Sequence, residues 1–226
     1  MREYFKRQIE LWGEERQDAL KSKSIAIIGC GGLGSSLALA LGSSGIGTIY
    51  LVDFDEVSIH NIHRQITFKM DDEKKNKACV NKEVIEARSP FVTVKAFEEG
   101  FEEFTRRGIK PDVVLDATDS LPVRAKIDRY CKKEGIPWIY ASVEEFHAQI
   151  CFMQKASFDA FNISDRKPKG IAAPIVMTAA SFEANLALRY LVGLPVKKDL
   201  LYYLYFDDSG EFNIAKFNMP KDEDEI

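Results

Sequence analysis

The stretch Ser24-Ile25-Ala26-Ile27-Ile28 runs directly into Gly29-Cys30-Gly31-Gly32-Leu33-Gly34, so a continuous apolar segment ends in a G-x-G-x-x-G hexapeptide. An apolar run of that length, rich in β-branched residues, suits a strand buried on both faces, the situation of a central strand in a parallel sheet. The glycines that follow permit a tight turn and let backbone approach a ligand closely. Leu33 to Ser44, rich in Ala and Leu, reads as a helix, and Thr48 to Asp53 reads as a second strand. The unit is βαβ, with the glycine turn opening its helix, and half of the 14 glycines of the chain lie between Gly29 and Gly47.

The alternation continues. A charged helix is expected from about Asp71 to Arg88, stopped by Ser89-Pro90, and a strand at Thr93 to Phe97. Asp112 to Asp116 reads as a strand, followed by a helix with Asp119 or Ser120 as its N-cap, Pro122 in its first turn and Gly135 at its end. Trp138 to Ser142 is the next strand. Strands alternating with helices in this way define an α/β chain with a mainly parallel sheet and helices on both faces, a Rossmann-like arrangement.

Beyond residue 147 the pattern changes. Gln149 to Met153 reads as a strand, Ala156 to Ala173 as an irregular loop and Pro174 to Val192 as an apolar helix. Leu201 to Phe206 and Phe212 to Phe217, joined by the turn sequence Asp207-Asp208-Ser209-Gly210, extend the sheet in antiparallel fashion. The acidic end, Lys221 to Ile226, reads as frayed.

Composition narrows the function. With 46% hydrophobic and 29% charged residues over 226 positions, the chain is globular, and nothing in it demands a second domain. A formal net charge of −4 supplies no basic excess for a phosphate backbone, so no nucleic-acid partner is expected. The residues Met1 to Arg7 carry both charge signs and no apolar core, unlike a signal peptide, and Glu183, Asn185 and Arg189 interrupt the longest apolar stretch, Ile175 to Val192. The expectation is a cytoplasmic protein without a membrane span. The four cysteines, Cys30, Cys79, Cys131 and Cys151, form no C-x-x-C pair, so neither a zinc site nor a disulfide framework is expected.

In this context the hexapeptide points to a nucleotide. Gly29, Gly31, Gly32 and Gly34 lie between a strand and a helix, and Asp53 ends the next strand, placed for ribose hydroxyls. A dinucleotide needs little beyond the helix N-terminus, whereas a triphosphate needs further cations and usually a metal. Such groups follow Asp53: Asp55, Asn61, Arg64, Gln65 and Lys77 occupy the connection leaving the carboxyl end of the second strand. Taken singly, each could equally be a solvated or turn-forming residue. Asp116 and Asp119 close another strand, where one carboxylate could face the same crevice and hold Mg²⁺.

With these residues the chain resembles the ThiF/MoeB/HesA-type adenylyltransferases of the ubiquitin-activating-enzyme-like superfamily, which activate sulfur carriers in thiamine and molybdopterin synthesis. The matching stretches are Arg7-Gln8-Ile9, Gly29 to Ser35, Leu51-Val52-Asp53-Phe54-Asp55-Glu56-Val57, Asn61-Ile62-His63-Arg64-Gln65, Lys77, Asp116-Ala117-Thr118-Asp119 and Gly170-Ile171-Ala172-Ala173-Pro174, in family order. The resemblance implies an ATP- and Mg²⁺-dependent enzyme that joins AMP to the C-terminal glycine carboxylate of a small ubiquitin-like carrier ending in Gly-Gly, releasing pyrophosphate. It implies that Gly32 and Asp53 contact adenosine, that Asn61, Arg64 and Lys77 contact phosphates, and that Asp119 holds magnesium beside Ser120. Arg7 would be lent to the neighbouring site of a homodimer. Arg7, Arg64, Lys77 and Asp119 are thus the expected catalytic set. One domain over 1–226 is expected, with N-terminal helices over 1–22, a nucleotide-binding core over 23–145 and a carrier-binding sheet and crossover region over 146–220.

The chemistry is consistent with what is missing. A glycine carboxylate, with a pKa of about 3.5, is already an ionised nucleophile and needs no general base, so His60, His63 and His147 are expected to be structural or surface residues. Some features depart from the family. The two C-x-x-C pairs of many relatives are missing, and Ser164-Asp165-Arg166-Lys167-Pro168-Lys169 carries no cysteine for a thioester or persulfide. Ser120 stands for the usual Asn and His60 for a small polar residue. Two other readings share the glycine loop. A nicotinamide-dependent oxidoreductase leaves Arg7, Arg64, Gln65 and Lys77 without work, and a non-catalytic nucleotide-binding partner has no chemical need for Arg64, Lys77 and Asp119. The carrier and pathway stay open, as does a small-molecule or tRNA acceptor.

Overall fold

The computed structural model describes residues 1–161 and 170–221. The cysteine-free segment Ser164 to Lys169 and the acidic terminus after Lys221 lie outside the described residues.

The first apolar run forms β1 (Ser24–Ile28), and the glycines lead into α3 (Gly32–Gly42), after two short helices, α1 (Lys6–Trp12) and α2 (Glu14–Ala19). There follow β2 (Thr48–Val52), α4 (Lys77–Arg88), β3 (Thr93–Phe97), α5 (Phe101–Arg106), β4 (Val113–Asp116), α6 (Leu121–Glu134) and β5 (Trp138–Glu144). The chain then adds β6 (His147–Met153), α7 (Ala173–Leu191), β7 (Leu200–Phe206) and β8 (Phe212–Asn218). One sheet holds the eight strands in the order β3-β2-β1-β4-β5-β6-β7-β8. Pairing is parallel from β3 to β5 and antiparallel from β5 to β8. Strand order reverses between β1 and β4, and open α/β sheets bind ligands outside the carboxyl ends at such a point.

The central strands bury both faces with period two. In β1, Ile25 and Ile27 join the larger core cluster, which includes residues of α3, α4 and α7, while Ala26 and Ile28 join the one formed with α5 and α6. Val113 and Leu115 of β4 alternate with Val114 in the same way. Small residues let the helices approach: Ala179, Ala180, Ala184 and Ala187 of α7 are buried in the cluster shared with α3. The apolar run read as Pro174 to Val192 is this packed helix, and among the described residues no helix is long and apolar enough to cross a membrane.

Two expectations are corrected. The helix placed from about Asp71 begins at Lys77. Asp71 and Asp72 instead belong to a 3-10 turn, Met70–Asp72, whose Asp72 carboxylate accepts from the Lys69 amide and pairs with Lys75 at 2.8 Å. Asn76 is the true N-cap, its side chain accepting from the Cys79 amide at 3.1 Å. In addition, Phe101–Arg106 forms a short helix where none was expected, anchored by buried Phe101 and Phe104.

Candidate active site

The carboxyl ends of β1, β2, β4 and β5 open into a cleft of about 970 Å³, lined by the glycine loop, Asp53, Arg64, Lys77 and Asp119 and reaching His147 and Tyr203. That volume lies at the upper end of the range of ligand pockets. The loop closing its floor is possible only with glycine. Gly29 has φ +90°, and a Cβ there would lie 2.7 Å from the Ala117 carbonyl oxygen of the β4 end, while a Cβ on Gly34 would overlap the Gly29 carbonyl. Gly29 and Gly34 therefore close the junction of β1, β4 and α3, leaving Gly31 and Gly32 with Gly29 on the cleft wall.

Asp53 spans loop and cleft. One carboxylate oxygen accepts from the Cys30 amide at 2.6 Å and the other from the Asp55 amide at 2.8 Å. Burial pushes its carboxyl above the usual range, opposed by those two amides and by Lys77. Each oxygen keeps a lone pair, so Asp53 can hold the loop and still accept from a hydroxyl. Gln65 is 5% exposed and lines the cleft with its amide nitrogen toward Gly31, while its amide oxygen is buried without a hydrogen-bond partner. The Gln65 amide can donate from the cleft wall to a ligand oxygen such as a ribose hydroxyl.

The cations are arranged by support residues. Lys77 opens α4, and its ammonium lies 2.9 Å from the Asp55 carboxylate with only 8% of its side chain exposed. Arg64 has no carboxylate partner among the described residues. Its guanidinium instead donates to Asn61 Oδ1 at 3.0 Å and meets His63 Nε2 at 3.0 Å. Asn61, expected at the phosphates, does not line the cleft and instead accepts from Arg64, while Asp55 lines the cleft and pairs with Lys77.

The two acids after β4 are separated by burial. Asp116 is 0% exposed, with Oδ1 accepting from the Thr118 amide and hydroxyl and Oδ2 lying 3.0 Å from Arg124 Nε. Burial raises its carboxyl above the normal range and Arg124 opposes the rise. Asp119 is exposed on the cleft wall and makes no hydrogen bond or ion pair among the described residues. Ser120 is the N-cap of α6 by position, without a side-chain cap bond, and also lines the cleft.

Arg7 is elsewhere. Its side chain is 91% exposed and pairs with Glu10 at 2.9 Å. Gln8 and Gln17 tie its helical segment to the Ser44 carbonyl at 2.8 and 2.9 Å, just beyond the end of α3 opposite the glycine loop. An 11-residue helix is about 16 Å long, which separates Arg7 from the cleft of its own chain.

Other groups escaped the sequence reading. Arg124, Gln149, His147 and Tyr203 all line the cleft. Tyr203 Oη lies 2.8 Å from His147 Nδ1, and the two rings stack. His147, expected as a structural or surface residue, thus lies on the cleft surface. Arg124 is signalled by its place in the first turns of a helix opening at the strand ends, whereas Tyr203 carries no such signal because it belongs to an antiparallel strand returning to that edge.

The four cysteines are free, and among the described residues no group of three or more His, Cys, Asp or Glu is placed to hold a metal. Purified protein is expected to carry well under one zinc per chain and to keep its fold in EDTA, and stoichiometric zinc by elemental analysis would contradict this.

Comparison with known proteins gives this geometry a family. Molybdopterin-synthase adenylyltransferase of Haemophilus influenzae is 28% identical over 218 residues, which cover 90% of this chain and 88% of that protein. The sulfur carrier protein ThiS adenylyltransferase of Escherichia coli K12 is 28% identical over 190 residues, 79% of this chain and 76% of that one. Of the solved structures, PaaA is 25% identical with a TM-score of 0.82 over 96% of this chain and 73% of its own. MccB of E. coli, solved with ATP, has a TM-score of 0.83 at 24% identity over 96% and 72%, a likeness of fold alone. The model of the ThiF family matches residues 5–225, and on that match the chain belongs to the ThiF family.

Proposed function

We propose that this protein is an adenylyltransferase that uses ATP to activate the C-terminal glycine carboxylate of a small ubiquitin-like sulfur carrier, releasing pyrophosphate, and that it works in the cytoplasm as a homodimer. The observation that carries the reading is the pairing of two cations with one free acid around the glycine loop. Among the described residues Arg64 has no carboxylate partner and Asp119 has no hydrogen bond or ion pair, and both line the same cleft as Lys77. A nicotinamide dinucleotide gives such cations nothing to do.

The apolar wall formed by Leu33, Leu121, Val123 and Val176 suits the adenine ring, and Asp53 with Gln65 suits the ribose. The helix N-terminus at Gly32 and the cations Arg64 and Lys77 then face the phosphates. Asp119 offers one hard oxygen, which fits a magnesium ion completed by phosphate oxygens and water rather than a cage made of protein. Magnesium held there would neutralise charge on the phosphates. The acceptor carboxylate is ionised at neutral pH, so the protein's work is to align it with the α-phosphorus and to stabilise charge on the departing pyrophosphate. Carriers of the ThiS type are the favoured acceptors because the H. influenzae and E. coli relatives carry molybdopterin-synthase and ThiS adenylyltransferase names.

The test is pyrophosphate exchange into ATP across a panel of carriers ending in Gly-Gly, with NAD binding measured alongside. Exchange that depends on a carrier is expected, with no NAD binding. Tight NAD binding without exchange would favour an oxidoreductase, and ATP binding without exchange for any carrier, small molecule or tRNA would favour a scaffold.

A further inference from the structure

Helix α7 carries a carboxyl group that the proposed chemistry does not use. Glu183 is 0% exposed on a helix packed against β4 and β5. Among the described residues six buried side-chain atoms lack a hydrogen bond, and four of them are both oxygens of Glu183, Asp116 Oδ2 and Arg124 Nε. The charges acting on Glu183 are those of Asp116, which raises its carboxyl, and Arg124, which lowers it, with burial the largest influence. Helix α3, which also packs on α7, contributes no titratable residue, and strand β6, a further neighbour, brings His147 and Cys151, neither of which is among the charges acting on Glu183.

A single guanidinium cannot neutralise two buried carboxylates, and Arg124 is already committed. It donates to the Thr118 carbonyl at 2.5 Å, the Ala141 carbonyl at 3.1 Å and Ser142 Oγ at 3.1 Å while its Nε faces Asp116. The trio is neutral only if one proton stays on it. Asp116 Oδ1 is occupied by Thr118, but Oδ2 can still accept. We propose that Glu183 is a positioning residue whose protonated carboxyl donates to Asp116 Oδ2, directly or through one buried water, and so ties α7 to the loop that carries Thr118 and Asp119. The two elements joined both line the cleft, α7 through Val176 and the loop through Thr118 to Ser120.

Glu183→Gln keeps a neutral donor of the same shape, and Glu183→Leu removes it. An infrared difference spectrum between wild type and Glu183→Gln at pH 8 is expected to show a protonated carboxyl band belonging to wild type. Stability carries a second signature. Above the ordinary glutamate pKa of about 4.3 the native state would hold one proton more than the unfolded state, so rising pH favours unfolding. From about pH 5 upward the folding constant of wild type relative to Glu183→Gln should fall about tenfold per pH unit until Glu183 ionises, Asp116 being common to both proteins. The third arm rests on the proposed activity. Glu183→Gln should match wild type in pyrophosphate exchange at pH 7, while Glu183→Leu loses about tenfold in kcat with KM for ATP nearly unchanged.

A missing acid band, parallel pH curves or equal kcat for the Gln and Leu variants would each overturn the bridge. If Glu183→Leu does not fold, the spectrum and pH slope of the other two proteins decide. If wild type itself shows no exchange, the proposed activity fails while those two measurements still judge the bridge.

Discussion

Lys77→Ala and Arg64→Ala are each expected to lower the adenylation rate by about 10²-fold or more, the scale of one lost electrostatic donor at a developing charge. In the proposed reaction the departing pyrophosphate carries the charge these two cations would face, and water filling the vacated space cannot be preorganised in the same way. Folding should be nearly unaffected in both variants. Lys77 pairs with an Asp55 side chain that is itself 52% exposed, so removing the ammonium leaves a carboxylate that water can reach. Among the described residues the Arg64 guanidinium bonds only to its own short segment, from His60 to His63. The N-cap of α4 belongs to Asn76 and survives the change at Lys77. Pyrophosphate exchange at saturating ATP, with circular dichroism to check the fold, measures both effects, and unchanged exchange in both variants would remove these residues from the site.

A second large effect is expected from mixing two dead proteins. Arg7 stands beyond the far end of α3 from the glycine loop and projects into solvent, so its proposed role requires a second subunit. In a two-fold dimer each chain gives its Arg7 and receives one. Homodimers of Arg7→Ala and of Lys77→Ala should both be inactive. In a mixed dimer, the site of the Arg7→Ala chain keeps its own Lys77 and borrows an intact Arg7, while the other site carries both defects. With equal mixing and random exchange about half the dimers are mixed and about a quarter of all sites are restored. Activity should return towards a quarter of wild type after co-refolding. A mixture as inactive as its parents, with mixed dimers seen by native mass spectrometry, would mean that Arg7 does not act across an interface.

The strands were legible because the central ones obey a single constraint. β1, β2 and β4 are covered on both faces, so apolar residues accumulate without interruption and the flanking Gly, Asp and Pro residues mark their ends. The segment before α4 was not legible. Asp71, Asp72, Lys74 and Lys75 have helix-compatible composition, but the side chain of Asp72 satisfies the Lys69 amide and stops the helical pattern from extending back.

The site was readable where its residues follow one another along the chain and unreadable where the fold brings distant strands together. Gly29, Gly31, Gly32, Asp53, Arg64, Gln65, Lys77 and Asp119 reach one cleft because each follows the carboxyl end of a parallel strand or opens the next helix. Residue type alone could not separate the group that touches a ligand from the one that orients it. Asn61 beside Arg64 and Asp55 beside Lys77 are both polar, close in sequence to the cations, and distinguished only by where their side chains point. His147 and Tyr203 lie 56 positions apart and meet through the antiparallel pairing of β6 with β7, which no spacing rule encodes.

The most direct measurement of the central claim is the intact mass of a Gly-Gly carrier after incubation with the protein, ATP and magnesium, followed by rapid quenching. A carrier with a free C-terminal carboxylate should gain one adenylyl group, and the same carrier with an amidated C-terminus should gain none, because the nucleophile is the terminal carboxylate. No adenylyl gain on any free-carboxylate carrier, or equal gain on the amidated one, would contradict the account.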